Sequence, residues 1–414
     1  MITLQDVFEF VVAAGILIGF NFAFWCTVCI LRLVGEYSTL LRNVEPLPLP
    51  HPTAQWKPGE PPPLASSGPA GPAHRVTLAD VAVIIPARNE EQALPQCIAS
   101  LAKAIQPSQV FVASDGSTDR TVQIARDLGC KFSDIKPNGG KARALKYVID
   151  NHDLCRNFKA VLILDADSEI DLNYFRNALP LFDDPNVVTI AGHQLSTWRP
   201  EWFPKWRSLI RILTFRSSAA ERFDLVSGLQ KLIYTAYRVR LFRVMQSVYQ
   251  YGQSWKPLSV SYIAPGAASM YRTTVLPHID IAAPGLVIED FNMTFEVQHK
   301  RLGRIAYTPY AMCSSEDPFT FKDYIKQIRR WYLGFWQTVR RHGFWPSKFS
   351  LFLALFSAEI LTFSLFLLLL PLLVVMNLAT GANVYTFVAD PVGIGPVSPL
   401  LLLVAYFIID VIMT

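Results

Sequence analysis

The chain has 414 residues, of which 51% are hydrophobic and only 17% charged, with a mean hydropathy of +0.27. This balance excludes an ordinary soluble enzyme, and the length allows more than one domain and a large core. The net charge of +5 is mild, and much of the excess borders apolar segments, so anionic lipid accounts for it as well as an anionic substrate would.

The run Phe10–Leu31 is uncharged and long enough to cross a bilayer as a helix. It has no basic leader and Arg32 follows at once, which favours an anchor over a cleaved signal. Cys26 and Cys29 share C-x-x-C spacing inside this run, without histidine partners, and read as apolar filler. Glu45–Pro72 is proline-rich and predicts an extended spacer. Residues 1–44 are thus an expected transmembrane anchor and 45–75 a linker. Two further apolar runs, Ser350–Met376 and Val397 to the end, predict transmembrane helices over 350–414. The chain ends inside the last run, so it is either naturally short or part of a longer protein. Lys and Arg crowd the inner flanks of the spans and are absent from residues 1–9 and from the loop between the last two. The positive-inside rule then places 32–349 in the cytoplasm, where Cys97, Cys130, Cys155 and Cys313 are expected to stay reduced. The expected location is the plasma (inner) membrane.

Between anchor and spans, residues 76–320 alternate strand and helix signals. Val81–Ala87, Gln109–Ser114 and, third, "AVLILDAD" (Ala160–Asp167) predict strands, and "EEQALPQCIASLAKAI", "STDRTVQIARDLG" and "GGKARALKYVIDN" predict helices. The alternation predicts an α/β, mostly parallel, doubly wound sheet with ligands at the carboxyl ends of its strands. Residues 198–251 mix aromatic, aliphatic and basic side chains at helical spacing. They are either amphipathic helices on the cytoplasmic leaflet or ordinary packed helices. Phe321–Trp345 has the same character and predicts interfacial helices over 321–349. Basic and aromatic residues together also fit nucleic acid, but no nucleic-acid-binding signature is present and the membrane context argues against that partner.

Three sets of polar residues fall at predicted strand ends: Pro86 to Glu90, Asp115, and the pair Asp165 and Asp167. Two carboxylates one residue apart can hold a hard divalent cation, Mg²⁺ or Mn²⁺, whose shell is completed by phosphate oxygens. Taken alone, D-x-D pairs are more often simply solvated. Asp115 can bind a ribose hydroxyl or base N–H, or serve a helix start. Lys141 opens a predicted helix, where backbone N–H groups favour anions, although a P-loop frame is absent.

The stretches "VIIPARNEE", "ASDGSTDRT", "LDADSEID", "GLVIEDFNMTFEV" and "KQIRRWYLGFW", in this order, resemble family 2 glycosyltransferases. The likeness is strongest to the membrane-bound processive type: poly-N-acetylglucosamine, hyaluronan, chitin and cellulose synthases. It spans roughly Val81–Trp336. The resemblance implies a GT-A fold, a nucleotide-diphosphate sugar donor (UDP-sugar), Mg²⁺ or Mn²⁺, and inversion at the anomeric carbon. It implies that Pro86, Arg88, Glu90, Asp115, Lys141 and Asp165 bind the nucleotide and that Asp165 and Asp167 straddle the metal. It also implies that Glu289 and Asp290 form the acidic pair, with Asp290 as general base. Gly266 lies near the acceptor, and Gln327, Arg330 and Trp331 form Q-x-x-R-W at the diphosphate and acceptor. Ile288 and Asn292 depart from the residues common at those positions. Three spans are few for a polymer channel made by one chain. Open alternatives are therefore assembly with copies of itself or other subunits, or addition of one or a few sugars to a lipid-linked or cell-envelope acceptor. A third is a membrane-tethered binding module on an inactive scaffold, against which the intact Asp165, Asp167, Asp290 and Arg330 stand.

Overall fold

The computed structural model describes residues 21–37, 75–196, 245–316, 318, 320–361 and 365. The chain divides into two compact units, one of Met1–Leu31 with Phe344–Thr414 and one of Arg32–Gly343.

The larger unit is built on one eight-stranded sheet. Its strands are β1 (Val81–Ala87), β2 (Val110–Asp115), β3 (Lys131–Ile135), β4 (Ala160–Ile163), β5 (Ser168–Ile170), β6 (Val187–Ser196), β7 (Ser269–Arg272) and β8 (Arg304–Ser315). They lie in the order β3-β2-β1-β4-β7-β6-β8-β5. The ladders β1–β2, β1–β4, β2–β3 and β6–β8 are parallel, whereas β4–β7, β6–β7 and β5–β8 are antiparallel. The predicted parallel sheet is therefore present in its first half and in the β6–β8 pair, with antiparallel β7 between them and antiparallel β5 at the edge.

The inner strands of that half, β1, β4 and most of β2, are apolar because both their faces are covered, whereas edge strand β3 carries exposed Lys131 and Asp134. Val81, Val83 and Ile85 share a core with Leu94, Ile98 and Leu101 of α1 (Leu94–Leu101), as the two-residue period of a strand requires. Each fully buried leucine there contributes about 2 kcal/mol. Helix α2 (Thr121–Asp127) follows β2. Helix α3 (Lys141–Asn151) packs on β1 and β2 through Ala144, Leu145, Val148 and Ile149, spaced at one helical face. A short α4 (Tyr174–Ala178) follows β5, and Tyr174 Oη donates to the Ala268 carbonyl at 2.7 Å. Helices α5 (Glu289–His299) and α6 (Phe321–His342) flank β8 in sequence.

The sheet splits where the site lies. Chain order runs outward from β1 through β2 to β3, then returns to β4 on the other side of β1. This is the reversal that leaves a crevice at the carboxyl ends of the strands. The β1–β4 ladder ends at Ile84 and Ile163, with a last bond from Leu164 N–H to the Ile84 carbonyl. Pro86 sits beyond that point, where its missing N–H deprives β4 of no partner. Arg88 and Asp165 continue their chains past the end of the ladder.

Three readings of the sequence are corrected here. The run before Asp165 is the fourth strand, because Lys131–Ile135 forms β3. Helix α1 starts only at Leu94, with Pro95 in its first turn. The two glycines of "GGKARALKYVIDN" lie outside α3, which begins at Lys141.

In the smaller unit, helical residues 21–31 and 348–361 meet through Phe24 and Phe352, whose rings stack at 5.4 Å, and through Asn21 and Glu359. Among the described residues no helix is long and apolar enough to cross a membrane. The first predicted span is described only over 21–31 and the second only over 350–361 and 365, while the third lies outside the described residues. The linker and residues 198–244 also lie outside them; Met245–Gln250 forms a π-helical turn continued by Tyr251–Gln253.

Candidate active site

The loops after β1 and β2 are stapled together. Asn89 adopts a left-handed backbone (φ 58°), and its Oδ1 accepts from Thr118 N–H at 2.8 Å. Glu90 N–H donates to Thr121 Oγ1 at 2.9 Å and Glu91 N–H to Asp119 Oδ2 at 3.1 Å. Arg88 is exposed beside this junction and Glu90 half-buried. Burial, followed by the charges of Asp167, Asp119, Asp165 and Glu316, pushes the Glu90 carboxyl up to about 7. Those four acids lie close enough to Glu90 to oppose its ionisation.

Asp115 ends β2 and is 5% exposed. Its carboxylate accepts from Asn138 Nδ2 at 2.8 Å, Gly139 N–H at 2.8 Å and Gly140 N–H at 2.7 Å. Backbone amides just ahead of α3, expected from the sequence to greet an anionic ligand, thus hold the protein's own carboxylate. Beside Asn138 a cavity of about 620 Å³ is lined by Gly116, Ser117, Thr118, Asp119, Asp134 and Lys136, among others. It lies on the β2–β3 side of Asp115, displaced from the acidic cluster built around Lys141.

Lys141 Nζ contacts Asp165 Oδ1 at 2.6 Å and Glu289 Oε1 at 3.0 Å. Burial alone would lower the ammonium pKa, but Asp165, Glu289 and Asp290 outweigh burial and raise it. Asp290 Oδ2 accepts from Gly266 N–H at 3.1 Å, and its Oδ1 accepts from Phe291 N–H at 2.7 Å. Burial, then Glu289, pushes the Asp290 carboxyl up to about 7 against the pull of Lys141. A Cβ at position 266 would lie 2.8 Å from Lys141 Nζ and 3.5 Å from Asp290 Oδ2, so a side chain there would displace the tip of the lysine. Asp167 is exposed, and Ser168 Oγ donates to its Oδ1 at 3.2 Å.

Helix α5 begins with the acid pair itself, where the helix dipole favours negative charge. Helix α6 packs along it. A Cβ on Gly334 would lie 2.7 Å from Ile288 Cβ, Phe335 meets the Phe291 ring at 5.6 Å, and Gln337 Oε1 accepts from Val287 N–H at 3.0 Å. Farther along, His342 Nε2 and Asn292 Oδ1 are 2.9 Å apart, and Arg341 pairs with Asp280 at 2.7 Å. Gln327, Trp331 and Gly334 recur at helical spacing on one face. Trp331 lies about 4.5 Å along the axis from Gly334, past the start of α5. Gln327 Oε1 is buried without a hydrogen-bond partner, Trp331 is half-buried and Arg330 exposed.

The fold therefore gathers Lys141, Asp165, Gly266, Glu289 and Asp290 into one contact cluster, with Glu90 and Asp167 within its electrostatic reach. Gln327, Arg330 and Trp331 share a separate helix packed against α5, and Asp115 faces its own loop. Sequence reasoning missed Asn138 and the amides of Gly139 and Gly140; the only local signal was "PNGG", which reads as a turn. It also missed the Asn292–His342 contact between helices.

Asp165 and Asp167 offer hard oxygen ligands, and among the described residues no group of three or more His, Cys, Asp or Glu side chains is placed to hold a metal. Two carboxylates fit Mg²⁺ or Mn²⁺, which bind through few protein ligands and take the rest from phosphate and water.

A split, largely parallel sheet with acids at its strand ends and the Glu289–Asp290 pair at the start of α5 is a fold of GT-A type. The chain belongs to the glycosyltransferase-like family 2, whose model matches residues 79–334. It is similar to the poly-β-1,6-N-acetyl-D-glucosamine synthase of Staphylococcus epidermidis, at 23% identity over 67% of this chain and 60% of that one. Similarity to the hyaluronan synthase of Streptococcus pyogenes is 24% over 62% of this chain and 57% of that one. A probable glycosyltransferase, YdaM, of Bacillus subtilis is 22% identical over 62% of this chain and 55% of that one. The chain thus spans little more than half the length of these relatives. Among solved structures, a mannosyltransferase from Pyrobaculum calidifontis in complex with GDP-Man and Mn²⁺ shares the fold, with a TM-score of 0.53 and 15% identity over 98% of this chain and 97% of that one.

Proposed function

We propose that this family 2 glycosyltransferase is a membrane-anchored, inverting enzyme that transfers a sugar from a UDP-sugar to a growing β-linked polysaccharide. The observation that carries this reading is the convergence of Asp165, Glu289 and Asp290 on the single ammonium of Lys141. It brings a strand-end acid suited to the donor's diphosphate next to a carboxylate suited to proton removal.

Asp290 is the general base. With its pKa near 7, it is ionised just above neutrality and still basic enough to take the acceptor hydroxyl's proton as that oxygen attacks C1. The C1–oxygen bond to the diphosphate breaks on the opposite face, which inverts the anomeric centre. Lys141 and Arg330 answer the negative charge that grows on the leaving diphosphate. A Mg²⁺ or Mn²⁺ held by Asp165 and Asp167 would supply further neutralisation of that diphosphate. Pro86, Arg88, Glu90 and Asp115 border the nucleotide. Trp331 offers a ring face to the acceptor sugar, and the unpartnered Gln327 Oε1 can accept from a sugar hydroxyl.

The apolar runs and the Lys and Arg beside them support anchoring in the inner membrane with the sheet domain on the cytoplasmic side. Exposed Ile325, Tyr332 and Leu333 on α6, near Lys322, Lys326 and Arg329, suit a headgroup boundary. Copies of the same chain or other subunits complete the path of a secreted polymer.

Membranes containing the full-length chain, given labelled UDP-N-acetylglucosamine, UDP-glucose or GDP-mannose with Mn²⁺, test this reading. A ladder of products from a UDP-sugar supports it. A single addition assigns transfer to a lipid-linked or cell-envelope acceptor instead, and no transfer from any donor overturns it.

A further inference from the structure

Lys141 stands where it neutralises an acid that the donor's metal would also claim. Its ammonium lies 2.6 Å from Asp165, the nearer member of the D-x-D pair, and 3.0 Å from Glu289. The Glu289 side chain is 8% exposed and that of Asp165 36%, so the ammonium is held from a dry side and faces the crevice on the other. Gly266 leaves just enough room for it. Without this cation, three carboxylates would share the pocket uncompensated. A divalent ion approaching Asp165 in the donor-free protein must compete with a charge already in contact. A nucleoside diphosphate changes that competition, because its oxygens give the flexible lysine a partner of higher charge.

We propose that Lys141 is an internal counter-ion that makes metal binding conditional on the nucleotide: it guards Asp165 against a bare divalent cation and yields only when a diphosphate draws its ammonium away. This rests on the function proposed above, since it takes Asp165 and Asp167 as the metal's ligands. It adds an order of assembly, in which the cation and the diphosphate enter as one unit. By reciprocity the same lysine must make nucleotide affinity depend on the metal by an equal factor. Glu289 is then a positioning residue, which keeps the ammonium aimed at Asp165.

The test is Mn²⁺ binding to the purified full-length chain, read by the free-ion paramagnetic resonance signal, with and without UDP or GDP. For the wild type, the nucleotide is expected to tighten Mn²⁺ binding at least tenfold. Lys141→Met is expected to bind Mn²⁺ alone about tenfold more tightly than the wild type and to lose most of the nucleotide's effect. Lys141→Arg keeps the charge and should retain the coupling, which separates the loss of a cation from a damaged fold. If Lys141→Met binds bare Mn²⁺ no better than the wild type, while UDP still promotes Mn²⁺ binding in both, the counter-ion role is overturned and the transferase reading stands. If Mn²⁺ binds neither protein with either nucleotide, or binds Asp165→Asn and Asp167→Asn as well as the wild type, the D-x-D metal site itself is overturned.

Discussion

The two sides of the crevice hold their acids by different means. At the end of β2, Asp115 is fixed by three N–H donors from a single tight loop. At the start of α5, Glu289 pairs with a lysine that arrives from α3, and Asp290 lies within that lysine's field while accepting from Gly266 and Phe291 N–H. Neutral donors on a short loop give an arrangement with one geometry. A flexible ammonium shared by three acids gives an arrangement that can be re-paired when a charged ligand arrives. The β2 side is therefore suited to shape, and the α5 side to a charge that moves during reaction.

The sharpest way to break this contrast is Asp290→Asn. Transfer, measured by nucleoside-diphosphate release, is expected to fall on the order of a thousand-fold, with nucleotide binding retained. Next comes Asp115→Ala, which strands the Asn138, Gly139 and Gly140 donors. It should cost about 3 kcal/mol of stability in denaturant titrations. The pH dependence gives a smaller effect. Asp290 must be ionised to act and holds its proton up to about 7, so kcat/KM should fall about tenfold per unit as pH drops below that value. The same raised pKa means the folded chain binds this proton more tightly than the unfolded one. Stability from this group should therefore decline as pH rises from about 4 to 7. Asp290→Asn, which does not ionise, should lack that decline in thermal melts.

The smallest effect concerns the contact between helices. Burial, against Glu296 and helped by the nearby His299, Arg341 and Lys300, pushes the His342 pKa down from 6.5 to about 4. A depressed histidine stabilises the fold above its unfolded pKa, and that share is lost as pH falls from 6.5 toward 4. His342→Gln, neutral throughout, should melt with less change across that window. His342→Ala should cost about 1 kcal/mol at pH 8 through loss of the bond to Asn292.

The legible parts of the fold were those with local signals. Val81–Ala87 is an unbroken apolar run, and Asp165 and Asp167 end another, so strand ends and acids could be placed together. Strand β3 was missed because it lies at the sheet edge with exposed Lys131 and Asp134, and its sequence lacks a continuous apolar run. The role of Lys141 was legible only as a charge near a helix start. Its partners Asp165 and Glu289 come from the turn after β4 and the start of α5, and no spacing rule links residues so far apart in sequence. Resemblance supplied the acid pair, but the anchoring of Asp115 by its own loop left no mark beyond a turn-like "PNGG".

Gly334 gives α6 a bare patch of backbone where it meets Ile288, the residue just before the acid pair. Nothing cushions the two helices at that point. A push on the helix bearing Trp331, such as the proposed sugar acceptor would give, is therefore felt at the root of Asp290 with little slack. In the proposed mechanism, proton removal and the handling of the acceptor are in this way mechanically geared.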